Sequence, residues 1–469
     1  MPLRNFEKEI PLSESIEYVK LHLMKKTILL INPWIYDFAA YDLWIAPLGL
    51  LYIASFLRNN GYAVQIIDCL TSPPLGTLPS GKQPRRFPSG HGKFLKESIE
   101  KPLILGEIPR KYNRYGIHPE TFRKSLRDCL HPDLIFVTSM MTYWYPAVFD
   151  MINILKQEIP GVPIILGGNY VTLCHDHALK SGADLTISGE GEPQIPRLLK
   201  DMLGDECYFI TDINDLDSYP YPAFDLRARW EQISLLTSRG CPFRCNYCAS
   251  HLLSSRYRRR NPIKVVDEIE YWYRSFGIKH FSFYDDALLV DADEMAIPLF
   301  KEIIKRDFAC HFHCPNGLHL REITAELSRL MFRAGVKTLR FGFETSDIRR
   351  QLETGGKVNN EHLQLAITYL IEAGFRLQDI GIYLLCGMPG QSAAEVFETI
   401  SYVKRCGARP IIAEYSPIPG TALWDAAVKA SPYPISAEPL FHNNSMLPCQ
   451  NEDFSYEMYQ ECKKRSRTS

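Results

Sequence analysis

The sequence predicts an α/β protein in two parts: an open, doubly wound parallel sheet, then a partial, TIM-like barrel of six βα units. Three observations predict it. Apolar strand-like runs alternate with helical patterns along most of the chain, the arrangement of parallel strands buried on both faces. One stretch of turn formers and prolines, DINDLDSYPYPAFD at 212–225, interrupts the alternation and reads as a linker. A cysteine-rich loop then follows the first strand beyond that linker, and the loops after parallel strands are where such barrels carry their chemistry.

The first part, residues 1–211, opens with the apolar run KKTILLINP from Lys25. The helical pattern APLGLLYIASFLRNNG follows and stops at Gly61. AVQIIDC, DLIFVTSMM, PIILGGN and DLTISGEGE supply four more strands, with PAVFDMINILKQEIPG and PQIPRLLKDML as helices. Five such strands suggest a flavodoxin-like winding. An insertion occupies about residues 71–120, and its start, TSPPLGTLPSGKQPRRFPSGHG, reads as an exposed loop.

The second part, residues 226–428, repeats the alternation six times. Its strands are ISLLTSRG, HFSFYDD, FHCPNGL, TLRFGFET, GIYLLCGMPG and IIAEYSPIPG. The five intervening segments, from PIKVVDEIEYWYRSFG to SAAEVFETISYVKRCG, read as helices, and four of them end in glycine. Six units are too few for the eight-unit barrel, so the barrel is partial and open. Residues 429–469 read as a short polar tail with one helical segment, DFSYEMYQECKKR.

The 469 residues, 46% hydrophobic and 23% charged, describe an ordinary globular chain. The net charge of -1 gives no global field toward nucleic acid or anionic membrane. No run of about 18 apolar residues calls for a membrane span. The charged N-terminus lacks the apolar core of a secretory signal, so a cytoplasmic location is expected. There the thirteen cysteines stay reduced, which favours metal or redox chemistry over disulfides.

Most of those cysteines are scattered, but CPFRCNYC places Cys241, Cys245 and Cys248 in a C-x3-C-x2-C loop. Three thiolates on one short loop can hold three corners of a cubane iron–sulfur cluster. They leave one iron open, and an open position is where a metal site does chemistry. The alternative is a structural zinc knuckle completed by His251, although C-x3-C is unusual zinc spacing. Cys310-His311-Phe312-His313-Cys314 looks like a second metal cluster, but strand alternation puts the two histidines on one face and the cysteines on the other.

C-x3-C-x2-C after the first strand of a six-unit βα barrel resembles the radical SAM superfamily, over about residues 230–425. The resemblance implies a 4Fe-4S cluster whose fourth iron is chelated by S-adenosylmethionine (SAM). Reductive cleavage of SAM then gives a 5'-deoxyadenosyl radical that takes a substrate hydrogen. It also implies contacts to SAM or substrate at the strand ends: Asp285 and Asp286, Asn316, Glu344 near the ribose and carboxylate, and Gly387 and Pro389 near the adenine; Tyr247, beside Cys248, reads as packing or as an adenine contact. Each has a plainer reading: Asp285-Asp286 as a helix cap, Glu344 as an ion-pair partner, the Pro-Gly turns as turns.

A doubly wound domain ahead of such a barrel resembles the cobalamin-binding class of that superfamily, over about residues 25–205. The resemblance implies a corrin over the C-terminal edge of the sheet. By position, the loops there are Asn32-Pro33-Trp34, Thr138-Ser139-Met140-Met141, Gly167-Gly168-Asn169-Tyr170 and Gly189-Glu190-Gly191-Glu192. Glycines at such an edge let backbone approach a bulky ring. The loop after the first strand, NPWIYDFAAYDLWIAP, has no histidine to ligate cobalt, and His175 and His177 read as capping or surface residues. The aromatic run Tyr143-Trp144-Tyr145 reads either as a pocket wall or as packing.

The function expected on these grounds is a cobalamin-dependent radical SAM enzyme, such as one that methylates an unactivated carbon of a small-molecule or peptide substrate. A low-potential donor, flavodoxin or ferredoxin, would supply the electron. A cyclase or rearrangement enzyme of the same architecture is the near alternative. An RNA methylthiotransferase would use Arg256-Tyr257-Arg258-Arg259-Arg260 on phosphate, but no basic RNA-binding domain follows residue 425, so a nucleic-acid partner is not expected. A non-catalytic cobalamin or redox sensor is the third alternative.

Overall fold

The computed structural model describes residues 26–71, 84–206 and 212–467. The reading of the extreme N-terminus lies outside the described residues.

Five parallel strands build the first sheet: β1 (Thr27–Asn32), β2 (Ala63–Asp68), β3 (Leu134–Val137), β4 (Ile164–Leu166) and β5 (Leu185–Thr186). Their spatial order is β2-β1-β3-β4-β5, the flavodoxin-like winding expected from sequence. Strand alternation explains why both faces are covered. Leu29, Ile31, Ile135 and Val137 point to one face, under the helix Tyr145–Glu158. Ile28, Leu30, Leu134 and Phe136 point to the other, under Leu48–Asn59 and Ile195–Leu203.

Six parallel strands build the second sheet: β6 (Gln232–Leu235), β7 (His280–Phe283), β8 (His311–His319), β9 (Val336–Glu344), β10 (Ile380–Cys386) and β11 (Arg409–Glu414). They run in unbroken order from β6 to β11, as a partial barrel requires. Phe281, Phe312, Leu339 and Ile382 face the helices in one large core. Ser234, Ser282 and His313 take the inner face; Ser282 Oγ lies 3.3 Å from Ser234 Oγ, and His313 Nδ1 3.0 Å from Thr338 Oγ1.

Two segments depart from the sequence reading. The described end of the loop, residues 84–92, is not simply exposed. It is bound to the chain around Asp42 by paired backbone hydrogen bonds between Asp42 and Gly92, both 2.9 Å, and by the Arg86–Asp42 ion pair at 2.7 Å. That contact seats Trp44 against the barrel lumen, its ring stacked on His313 at 4.3 Å and its indole N–H donating to Ser89 O at 2.7 Å. His313 is thus a packing residue.

The C-terminal segment is not a free polar tail either. Leu440, Phe441, Met446 and Cys449 are buried with Phe38 and Tyr112 of the first part and with Leu385 and Tyr415 of the barrel. Asn443 Nδ2 donates to Asp37 Oδ1 at 2.8 Å, and His442 Nδ1 lies 2.9 Å from Thr142 Oγ1. The polar residues that made this stretch look solvated are the ones that tie the two halves together.

His442 yields a pH prediction. Its Nε2 faces the Ile435 carbonyl at 2.9 Å and must donate; burial keeps the ring neutral, so Nδ1 accepts from Thr142. Burial lowers its pKa to about 4. The unfolded chain therefore binds the proton first as pH falls from about 6.5, and stability is lost through about pH 4. The full loss is on the order of 3 kcal/mol for this group. Chemical denaturation of His442→Gln across that range should show a shallower acid slope than the parent.

Candidate functional site

Two cavities lie at the C-terminal ends of the two sheets. The first, about 410 Å³, is walled by Cys241, Cys245 and Cys248, by Asp286 after β7, by Asn316, Gly317 and His319 of β8, and by Gly342 and Glu344 of β9. Among the described residues no three His, Cys, Asp or Glu side chains converge tightly enough to hold a single metal ion. The three thiols ring a space instead, and His251 is not in its wall. Burial pushes the Cys241 thiol up to about 11 and raises that of Cys245. Such thiols stay protonated until a metal displaces the proton.

Glu344 is built into this wall at a cost. Its φ is +70°, the left-handed region that non-glycine residues avoid. Its Oε1 accepts from Tyr247 Oη at 2.9 Å and from Lys357 Nζ at 2.7 Å. Gly342 makes room for the pair, since a Cβ there would stand 2.8 Å from Glu344 Oε1 and 3.2 Å from Lys357 Nζ. Glu344 is thus both a cavity wall and an ion-pair partner. Lys357 escaped the sequence reading: it follows Gly355-Gly356 and shares no spacing with the cysteines. Lys357→Met should strand the Glu344 carboxylate in a buried site and destabilise the chain by about 3–5 kcal/mol in denaturant titration, whereas Lys357→Arg should recover much of that loss.

Asn316 lines the cavity and donates from Nδ2 to the carbonyl oxygens of Tyr284, 3.0 Å away, and Asp285 at 3.3 Å. Asp286 also lines it and accepts from Ser250 Oγ. Three sequence candidates are absent from the wall. Asp285 turns away: its Oδ1 accepts from the N–H and hydroxyl of Thr237 and of Ser238, at 2.6–2.8 Å, and so fixes the strand end that leads to the cysteine loop. Gly387 and Pro389 belong to a turn outside the wall; the C-terminal segment packs on Gly387, where a Cβ would meet Leu447 at 3.1 Å.

The second cavity, about 290 Å³, lies over the C-terminal edge of the first sheet. Asn32, Thr138, Ser139, Gly167, Gly168, Gly189, Glu190 and Gly191 all line it. So do Tyr52, Leu236 and Arg239. Trp34 does not. It is buried in the sheet core, edge-on to Phe122 at 5.9 Å. Tyr143 is buried, Trp144 donates its indole N–H to Asp37 at 2.7 Å, and Tyr145 packs on Phe149, so these aromatics serve packing. His177 contacts Tyr170 Oη at 2.6 Å, His175 lies 3.2 Å from Thr186 Oγ1, and no histidine lines the cavity among the described residues.

Gly168 gives this edge its smooth floor. Its φ is +103°, and a Cβ there would stand 2.2 Å from Ser139 O. The floor is backbone and small side chains, the surface on which a flat ring can lie.

Comparison with known proteins agrees with both halves of the geometry. The family model of the radical SAM superfamily matches residues 235–403, and that of the B12 binding domain matches residues 112–199. The chain belongs to the radical SAM superfamily, in its cobalamin-dependent class. Its cofactors are accordingly a 4Fe-4S cluster, SAM and cobalamin. An uncharacterized methyltransferase of Pyrococcus horikoshii is 26% identical over 413 residues, 81% of this chain and 78% of that relative. The cytidylyl-2-hydroxyethylphosphonate methyltransferase of Streptomyces wedmorensis is 24% identical over 424 residues, 77% of this chain and 73% of its own. An anaerobic magnesium-protoporphyrin IX monomethyl ester cyclase of Synechocystis is 28% identical over 330 residues, 62% of this chain and 60% of its own.

Among solved structures, the radical SAM methyltransferase TsrM of Kitasatospora setae shares the fold. Its TM-score is 0.64 at 15% identity, over 94% of this chain and 89% of that one. The cobalamin-dependent radical SAM enzyme OxsB matches with a TM-score of 0.57 at 16% identity, over 85% of this chain and 55% of that one. Among the described residues no helix of this radical SAM enzyme is long and apolar enough to cross a membrane.

Proposed function

We propose that this enzyme transfers a methyl group from SAM, by way of its cobalamin, to an unactivated carbon of a small-molecule or peptide substrate. One observation carries the reading. Arg239 lines the glycine-floored cavity and Cys241, two residues on, lines the thiol-ringed one. A corrin in the first would therefore adjoin a cluster in the second. The matching relatives named as methyltransferases point the same way.

In this reading Cys241, Cys245 and Cys248 hold three irons of the cluster. Asp286, Asn316, Glu344 and Tyr247 shape the space for SAM beside the open iron. The loops at Thr138–Ser139, Gly167–Gly168 and Gly189–Gly191 carry the corrin. A bound cluster supplies the electron that breaks the sulfur–carbon bond of SAM, and a low-potential flavodoxin or ferredoxin reloads it. The chain's own part is to orient SAM and substrate and to exclude water from the radical.

Reconstituted enzyme given SAM deuterated in its methyl group tests the reaction type. Deuterium recovered on the extracted corrin, together with S-adenosylhomocysteine, is the expected result. Release of 5'-deoxyadenosine with neither product would assign the chain to rearrangement or to cyclisation, the latter the chemistry named for its cyclase relative.

A further inference from the structure

The two carboxylates of Gly189-Glu190-Gly191-Glu192 line the corrin cavity and have no further task in the account so far, yet Glu192 is buried and Glu190 half-buried, each held by ion pairs. Glu192 accepts from Arg239 Nη2 at 2.6 Å with only 4% of its side chain exposed. Glu190 accepts from Arg239 Nη1 at 3.3 Å, from Ser254 Oγ at 3.0 Å and from Arg258 Nη2. The Arg239 guanidinium also lies over the rings of Tyr52 and Tyr219, 5.1 and 5.2 Å from their centroids. It therefore has one position.

These partners share a place in the chain. Arg239 ends the short strand that leads through Gly240 into the cysteine loop, and Ser254 is the first residue after the short helix Ser250–Leu253 that closes it. Arg258 pairs with Arg239 across a two-residue antiparallel ladder, Ser238–Arg239 against Arg258–Arg259. Gly240, at φ +80°, fits only because it lacks a Cβ, which would strike Arg256 O at 2.6 Å. Entry and exit of the cysteine loop thus meet at one neck. Glu190 is bonded to both sides of it, and Gly189, Glu190, Gly191 and Glu192 all line the other cavity.

We propose that Glu190 and Glu192 form a clasp through which occupation of the corrin cavity and assembly of the iron–sulfur cluster stabilise each other. The proposal rests on the assignment of the two cavities made above. A corrin seated on the glycines fixes the loop that bears the carboxylates. The carboxylates fix Arg239, Ser254 and Arg258, and these fix the ends of the loop that carries the thiols. Buried ion pairs transmit such restraint because breaking one strands a charge. Linkage makes the effect reciprocal: whatever factor the cluster adds to corrin affinity, the corrin adds to cluster affinity.

The test compares the Kd of hydroxocobalamin for iron-free and for cluster-reconstituted protein, by anaerobic equilibrium dialysis, in the parent and in Glu190→Gln. In the parent the cluster should tighten corrin binding by about fivefold or more. In Glu190→Gln both Kd values should shift, because Glu190 also lines the corrin cavity, and the two should converge on each other. Should that variant not fold, Ser254→Ala removes a single neutral hydrogen bond from the same carboxylate and should reduce the factor. A factor of one in the parent, or a factor unchanged in a folded variant, overturns the clasp and leaves the cavities as assigned. No corrin binding to any form overturns the cavity assignment and the clasp with it.

Discussion

Replacing Cys245 with alanine is expected to leave a folded chain that no longer releases 5'-deoxyadenosine from SAM. The side chain is buried, and losing one sulfur costs about 1 kcal/mol of stability. The chemistry suffers out of proportion. With two thiolates in the loop a cubane loses a protein ligand on a second iron, and a site open at two irons no longer holds SAM in one orientation. Iron per chain should fall well below that of the parent, and nucleoside release should drop to the level of the no-enzyme control. A thermal melt close to the parent's would separate this from misfolding. Release at the parent's rate would remove Cys245 from the cluster.

The second large effect is expected at Gly168. Alanine there must adopt φ near +103° and bring its methyl group onto Ser139 O. Strain of about 1–3 kcal/mol from the backbone adds to about 1–3 kcal/mol from the overlap. The loop can relieve it only by lifting off the sheet edge, which spoils the floor of the cavity. Corrin retained after gel filtration should fall at least tenfold, and the melting temperature should drop. Gly189→Ala is the informative partner. Its φ of +79° is also left-handed, but no atom lies within 4 Å of a Cβ there. That variant should pay only the backbone cost, about 1 kcal/mol, and keep most of its corrin. Equal losses in the two variants would mean that the smooth floor is not what holds the ring.

The fold was legible because it rests on period and punctuation. The five strands of the first sheet and the six of the second carry apolar runs too regular to be loops. Helix stops such as Gly277, at φ +70°, mark where each unit turns back. The cysteine loop was legible for the same reason: its information lies in local spacing. What the sequence hid is what depends on contacts between distant segments. Asp285 looks like a cavity residue because it ends a strand, yet four donors on Thr237 and Ser238 turn it away. Gly387 and Pro389 form a family-like turn, but Leu447, some sixty residues on, packs on Gly387. Lys357 and Arg239 are invisible until the fold sets one beside Glu344 and the other between two tyrosines. The C-terminal segment reads as polar because its asparagines and histidine are polar, and only the structure shows them bonded to Asp37 and Thr142.

The central claim is that one chain holds a SAM-cleaving cluster beside a corrin. The direct test is anaerobic reconstitution with iron, sulfide and hydroxocobalamin, followed by dithionite and SAM. Iron content, the ultraviolet–visible spectrum and 5'-deoxyadenosine are then measured on the same sample. The account predicts about four irons per chain, a protein-bound corrin spectrum and release of the nucleoside. Zinc in place of iron, with neither corrin nor nucleoside, would contradict it.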